Sequence, residues 1–206
     1  ESKISSLKIT PDRNNFFFVV EERLFRLDLK DPKATPVAIT PEIKGLQSVN
    51  WSPDFALALI TTADNKSYLY DFNRYDLLHQ EMHSIELKIT ASAWISDGSG
   101  LIVLAESENN GATVASLYRI NRQGSGPVRL ADLSPNDQKN YSQPILTAGS
   151  TNIYFLTNQG QSSSPKVITL FDSFQKLLIP ITDSGNANGL IVSPDQSHIA
   201  FLDNGE

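Results

Sequence analysis

Hydrophobic positions along this chain fall in short runs, separated by clusters of Gly, Pro, Asn, Asp and Ser. No stretch sustains the spacing of an amphipathic helix; the best, Asp76 to Leu87, is broken by poor spacing. Two kinds of run recur. Dense ones (Phe16 to Val20, Ala56 to Ile60, Leu101 to Ala105, Ile153 to Leu156, Ile199 to Leu202) are rich in Val, Ile, Leu and Phe, as expected for strands buried on both faces. Others alternate and close on Asp or Asn: Leu24-Phe25-Arg26-Leu27-Asp28, Tyr68-Leu69-Tyr70-Asp71, Leu117-Tyr118-Arg119-Ile120-Asn121 and Ile168-Thr169-Leu170-Phe171-Asp172. A period of two puts one face of a strand inward and the other in water.

A shorter strand precedes each dense one: Leu7 to Ile9, Val49 to Trp51, Ala93 to Ile95, Ile145 to Thr147, Leu190 to Val192. The link between them is Thr10-Pro11-Asp12, Ser52-Pro53-Asp54 or Ser193-Pro194-Asp195, and in degenerate form Ser96-Asp97-Gly98. Asp12, Asp54 and Asp97 are 42 and 43 residues apart, and Asp195 stands 98 further on, two periods of about 49. The skipped copy falls at Ala148-Gly149-Ser150-Thr151. A weaker, more polar fourth strand is expected near Val37 to Ile39, Leu77 to His79, Val128 to Leu130 and Leu177 to Ile179, where polarity would protect an edge. Four antiparallel strands per 40–50 residues predict an all-β fold. It is a β-propeller of four-stranded blades, four complete and a partial fifth, in one incomplete domain over residues 1–206. A β-sandwich also has short, evenly spaced strands, but gives no reason to repeat Pro-Asp at this interval.

Trp51-Ser52-Pro53-Asp54, Ile9-Thr10-Pro11-Asp12 and Val192-Ser193-Pro194-Asp195, with the third strands ending in Asp, resemble the PD40 or TolB-type repeat, a relative of the WD40 blade. The resemblance covers essentially the whole chain. It departs where Pro is replaced, at Ser96-Asp97-Gly98, and where the motif is lost, at 148–151. It implies six to eight blades in a complete ring, and an extracytoplasmic, bacterial setting: periplasmic, cell-surface or secreted. Four blades and a half do not close a ring, and the chain begins at Glu1 rather than Met. Further sequence is therefore expected, at least on the C-terminal side, or closure through another segment or subunit.

Physically, Pro pre-sets φ in the tight turn, and Asp or Ser caps its backbone N–H groups. The repeated carboxylates are therefore read as turn builders rather than as a metal or acid–base set. Trp51 and Trp94, at matching positions, are expected to wedge between blades. These turns share one face with the turns between strands three and four. The opposite loops vary in length: Thr62 to Lys66, Glu106 to Thr113, Ala131 to Ser142 and Thr157 to Lys166. Variable loops on a rigid scaffold are where binding concentrates. The candidate partner-binding residues are Asp64, Asn65, Glu106, Glu108, Asn109, Asp137, Tyr141, Asn158 and Gln159.

Composition narrows the classes. A net charge of −6 and the absence of a Lys/Arg run argue against nucleic acid and anionic membrane surfaces. There is no cysteine, so no disulfide or thiolate metal site. No signal peptide and no membrane-spanning run is visible, so an anchor would lie outside this stretch. His79 and His83 are four apart, but on a strand and its link, with His198 two blades away. They read as surface histidines rather than metal ligands. Glu106-Ser107-Glu108-Asn109-Asn110-Gly111 has the composition of a Ca²⁺ loop without its spacing and reads as a hairpin turn on Asn-Gly; Asp203 to Glu206 reads as a further hairpin turn. Gly98-Ser99-Gly100, Gly124-Ser125-Gly126 and Gly160-Gln161-Ser162 fail the Gly-x-Ser-x-Gly pattern, and the Gly-Ser-Gly stretches and Ser162 to Pro165 read as flexible loops. The expectation is a binding scaffold without cofactor, metal or catalytic residues, presenting loops to a protein, peptide or glycan. The alternative is a gating or substrate-guiding propeller of a larger serine hydrolase. A third reading, a propeller enzyme with carboxylates at a central channel, requires converging acidic residues.

Overall fold

The computed structural model describes residues 4–72, 82–109, 112–124, 126–133, 145–148, 152–158, 166–182, 187–193 and 198–203. The expectations at Leu77 to His79, Ser125, Asn110-Gly111, 149–151, 160–165, Pro194-Asp195 and 204–206 lie outside them. The chain divides into two compact units, 1–86 and 87–206.

The first unit holds two antiparallel four-stranded sheets. One is β1 (Ser5–Ile9), β2 (Asn15–Val20), β3 (Arg23–Asp28) and β4 (Val37–Ala38); the other is β5 (Leu46–Trp51), β6 (Leu57–Thr62), β7 (Ser67–Asp71) and β8 (Met82–Ile85). The second unit holds β9 (Lys88–Trp94), β10 (Gly100–Asn109), β11 (Ala112–Asn121) and β12 (Val128–Asp132), then β13 (Ile145–Ala148), β14 (Asn152–Asn158), β15 (Lys166–Asp172) and β16 (Leu177–Pro180). A pair follows, β17 (Ala187–Val192) and β18 (Ile199–Asp203). Each sheet is a simple meander in sequence order, with the dense second strand inside it.

The repeated motif closes the turn between strands one and two. Ser52 N–H donates to the Leu57 carbonyl at 2.9 Å, and Phe55 N–H donates to the Ser52 carbonyl at 3.0 Å. Ser52 Oγ accepts from Leu57 N–H at 2.9 Å and donates to Asp54 Oδ1 at 2.7 Å; Asp54 Oδ1 also accepts from Ala56 N–H at 3.1 Å. Thr10, Asp12, Asn14 and Asn15 repeat the same bonds. Ser193 N–H and the Ser193 hydroxyl meet His198 in the same way. The third sheet shows why its motif looked degenerate. Ile95 takes the place of Ser52, with N–H donating to the Gly100 carbonyl, while Asp97 caps Ser99 N–H at 2.8 Å. The residue after Asp is left-handed in each case: Arg13 (φ 56°), Phe55 (φ 58°) and Gly98 (φ 71°). Gly98-Ser99-Gly100 is therefore this turn and the first residue of β10, a correction to its reading as a flexible loop. In the fourth sheet Ala148 pairs with Ile153, whereas Trp51 pairs with Ala58, so the connection is two residues shorter and the motif is deleted. The Asp or Asn closing strand three caps the next turn: Asp28 accepts from Lys30 N–H, Asn121 from Gln123 N–H, and Asp172 from Phe174 and Gln175 N–H.

Because Ser52 is buried, Ser52→Ala strands the Leu57 N–H without an acceptor. We expect a loss of about 1–2 kcal/mol, read as a lower urea midpoint at unchanged slope. Thr10→Ala, in the partly exposed copy, should cost less.

Three expectations need correcting. Of the loop expected over Glu106 to Thr113, Glu106 to Asn109 and Ala112 to Thr113 are strand: β10 and β11 pair in register out to Asn109↔Ala112. The alternation of polar and small residues there satisfies a hairpin ladder as well as it does a loop. The fourth strand of the second sheet is Met82–Ile85, not Leu77 to His79, because Ile85 and Met82 carry the contacts that dock it on β7. The same assignment makes the latter part of the helical candidate, Asp76 to Leu87, a strand. The fourth strand of the fourth sheet is apolar rather than polar, with Leu177 and Ile179 exposed.

The cores lie between neighbouring sheets. Phe17, Val19 and Leu24 of the first sheet pack against Trp51, Ala58, Ile60 and Tyr70 of the second, so Trp51 does wedge between blades. In the second unit, Ile102, Leu104 and Leu117 of the third sheet pack on Phe171 of the fourth.

Candidate functional site

Within the first unit, three segments from one end of the two sheets converge. They are the β2–β3 turn at Glu21-Glu22, the link 41–45 and the β6–β7 turn, Thr62 to Lys66. This is the end opposite the Pro-Asp turns. Ile43 N–H donates to the Glu22 carbonyl at 2.8 Å, and Gly45 N–H donates to Glu22 Oε1 at 2.8 Å. Ala63 N–H donates to the Gly45 carbonyl at 2.7 Å. The link is thus stitched to both turns. Glu21 and Glu22 both adopt left-handed φ (49° and 61°), an arrangement that a two-residue hairpin loop normally gives to Asn and Gly. Held strain of this kind concentrates at functional surfaces.

A cleft of about 580 Å³ opens beside this link. Its apolar lining is Ile43, Tyr68 and Met82; Glu42, Lys44, Asp64 and Lys66 bring charge to it. Glu42 is paired with Arg23 at 3.4 Å and Asp64 with Lys66 at 2.7 Å.

Asp64 and Asn65 both sit in the β6–β7 turn, and Asp64 lines the cleft. Their chemistry is that of the repeated turn on the opposite end. Thr62 Oγ1 donates to Asp64 Oδ1 at 2.6 Å, Asn65 N–H donates to the Thr62 carbonyl, and Asn65 is left-handed at φ 61°. The Lys66 ammonium first, and the Thr62 hydroxyl second, hold the Asp64 carboxyl at about 2, down from its ordinary 3.8. A carboxylate depressed in the fold adds stability above its unfolded value, and this is lost as pH falls through the folded value. Asp64→Asn should therefore lower Tm slightly near neutrality and flatten its acid limb, the difference from the parent chain vanishing as pH falls from 3.8 to about 2, measured at low salt. The pair is exposed, so the effect is small. An unchanged acid limb would refute the assignment.

In the second unit, Glu106 and Glu108 lie on β10, and Lys88 Nζ meets Glu106 Oε2 at 2.6 Å. Asn109 is the last residue of β10 and Asn158 the last of β14. Asp137, Tyr141 and Gln159 lie outside the described residues, as does His79; His83 is on β8. The structure thus brings Asp64 together with Glu42, Ile43, Lys44, Tyr68 and Met82, which raised no signal in the sequence, while Asn65 shares its turn without lining the cleft. The left-handed Gly45 in a short link between blades was the available signal. Among the described residues no cluster of three His, Asp or Glu is placed to hold a metal, and no helix is long and apolar enough to cross a membrane.

The comparisons agree with this architecture. The chain is similar to TolB from Acinetobacter baumannii at 19% identity with a TM-score of 0.57, over 96% of this chain and 48% of TolB. It is similar to the tricorn protease at 10% identity and a TM-score of 0.62, over 98% of this chain and 24% of the protease. It is also similar to an oligogalacturonate lyase in complex with manganese, at 11% identity and a TM-score of 0.67, over 96% and 58%. No protein-family model and no curated protein matches the sequence. The fold is an all-β propeller. The chain spans about half the length of the TolB chain.

Proposed function

We propose that this propeller is a non-enzymatic binding module and that the cleft beside the link 41–45 is a contact site for a protein or peptide. One observation carries the reading. On the loop-bearing end, a strained and hydrogen-bonded frame borders a cleft lined by Ile43, Tyr68 and Met82 together with Lys44. Apolar floors with a few placed polar groups are the general form of recognition sites. An aromatic such as Tyr68 supplies contact area at low entropic cost. The test is selection of peptides from a displayed library on the immobilised chain, followed by titration of a selected peptide. Tyr68→Ala should weaken binding by about thirtyfold, the loss of one anchor. Lys33→Ala, beyond the end of β3 next to the Pro-Asp turns, should leave it unchanged. Absence of any enriched peptide, or equal loss in both variants, would overturn the reading.

An extracytoplasmic location is part of the same proposal and is supported by the likeness to TolB; cell fractionation of the parent protein tests it. A second reading, a propeller that guides substrates to a serine hydrolase, is supported by the likeness to the tricorn protease. Labelling of the full-length parent by a fluorophosphonate probe would favour it.

A further inference from the structure

Charge in the cleft of the first unit is paired at every lining residue but one. Of the four charged residues that line it, Glu42 meets Arg23 at 3.4 Å and Asp64 meets Lys66 at 2.7 Å. Lys44 has no ion pair or side-chain hydrogen bond among the described residues. Glu22 does not line the cleft, and its Oε1 accepts from Gly45 N–H at 2.8 Å. The backbone on either side of Lys44 is fixed. Ile43 is buried and donates its N–H to the Glu22 carbonyl at 2.8 Å. Leu46 N–H donates to the Ile43 carbonyl at 3.0 Å, and Gly45 is left-handed at φ 76°. Residues 43–46 therefore form a tight turn with Lys44, which is exposed, in its second position. The structure holds the position of this cation and leaves its charge uncompensated.

We propose that this cleft selects an extended peptide segment in which a large apolar residue stands beside a carboxylate, Asp or Glu, and that Lys44 is the residue that reads the carboxylate. The inference rests on the reading of the cleft as a peptide site and names the chemistry of the partner. The apolar side chain packs on Tyr68 and Met82, and the carboxylate meets Lys44. A cation entering the cleft would have to displace Arg23 from Glu42 or Lys66 from Asp64, whereas a carboxylate meets no competing partner at Lys44. Because the turn already holds the backbone of Lys44, the encounter orders only its side chain. An ion pair at an exposed position is worth little in affinity. Lys44 therefore acts on the choice between peptides and on the association rate, and Tyr68 carries the larger share of the binding.

The test starts from peptides of a displayed library selected on the immobilised chain. Sequences with Asp or Glu next to a large apolar residue should dominate. For one selected peptide, replacing that carboxylate by its amide should weaken binding to the unsubstituted chain about three- to fivefold by calorimetry. Against Lys44→Ala the same replacement should change nothing, so that the double-mutant cycle assigns the penalty to this one pair. Lys44→Glu, at an exposed position and so compatible with folding, should turn the selection toward Lys or Arg at the same place. Lys33→Ala removes the same charge beyond the end of β3 and should leave the amide penalty intact. At about 1 M salt, where screening acts within about 3 Å, the penalty should shrink. Enriched peptides that lack an acidic residue, yet lose affinity with Tyr68→Ala, would overturn the inference and leave the peptide site standing. An amide penalty that persists in Lys44→Ala would do the same. Absence of any enriched peptide would overturn both.

Discussion

Trp51→Ala should destabilise the first unit by about 3–5 kcal/mol, the range for emptying a buried aromatic site. The indole lies at 4.8 Å from the Phe17 ring, 5.1 Å from Phe72 and 5.9 Å from Phe55, so it is the piece that joins the first sheet to the second. Three neighbouring rings on two sheets cannot collapse into the void together without moving a strand, which places the cost near the upper end. Trp51→Phe separates packing from polarity. Trp51 Nε1 is buried and has no hydrogen-bond partner among the described residues, so removing it strands nothing there and relieves an unsatisfied donor. The smaller ring loses some contact area, and the net cost should stay within about 1.5 kcal/mol. Chemical denaturation of both variants decides this. If Trp51→Phe costs as much as Trp51→Ala, the indole nitrogen is bonded and the account of this cluster is wrong.

Gly100→Ala should be the second large effect, about 1–3 kcal/mol, from overpacking against a backbone that cannot yield. A Cβ at Gly100 would run into the Ile120 carbonyl oxygen, with Asn121 Cα 3.4 Å away. Both obstacles belong to the partner strand, because Gly100 pairs with Asn121. The clash falls where the ladder begins and where the Gly100 carbonyl accepts the bond from Ile95 N–H that closes the turn. Gly126→Ala is the matched control: nothing lies within 4 Å of its Cβ, and the change should be neutral to about 0.5 kcal/mol. Equal thermal shifts in the two variants would refute the assigned contact.

These two residues also show where reading the chain succeeds and fails. Trp51 was legible as a wedge because its position ahead of Ser52 repeats at Trp94. Its ring partners were not legible, since Phe17 and Phe72 are brought to it by sheet packing. Gly100 looked like part of one of two Gly-Ser-Gly loops until the register placed it against Ile120. The candidate site divides along the same line. Asp64 and Asn65 stood out as a polar loop, yet their side-chain and backbone chemistry builds a turn of the Thr10-Asp12 kind. Ile43, Lys44 and Tyr68 raise no local signal. They become a site only because Glu22, from a different sheet, accepts the Gly45 N–H and holds the link against β7.

What the chain states by itself is what depends on neighbours in sequence. Period-two alternation, Pro with its preset φ, and Asp capping the residue two ahead act within a few residues, and they recur at intervals of 42 to about 49 positions. They determine the strands, the turns and the class of fold. The tertiary structure alone decided which strand edges and blade faces are covered. The β10–β11 pairing and the cleft beside 41–45 follow from pairing and packing between distant segments, whose partners no local pattern names.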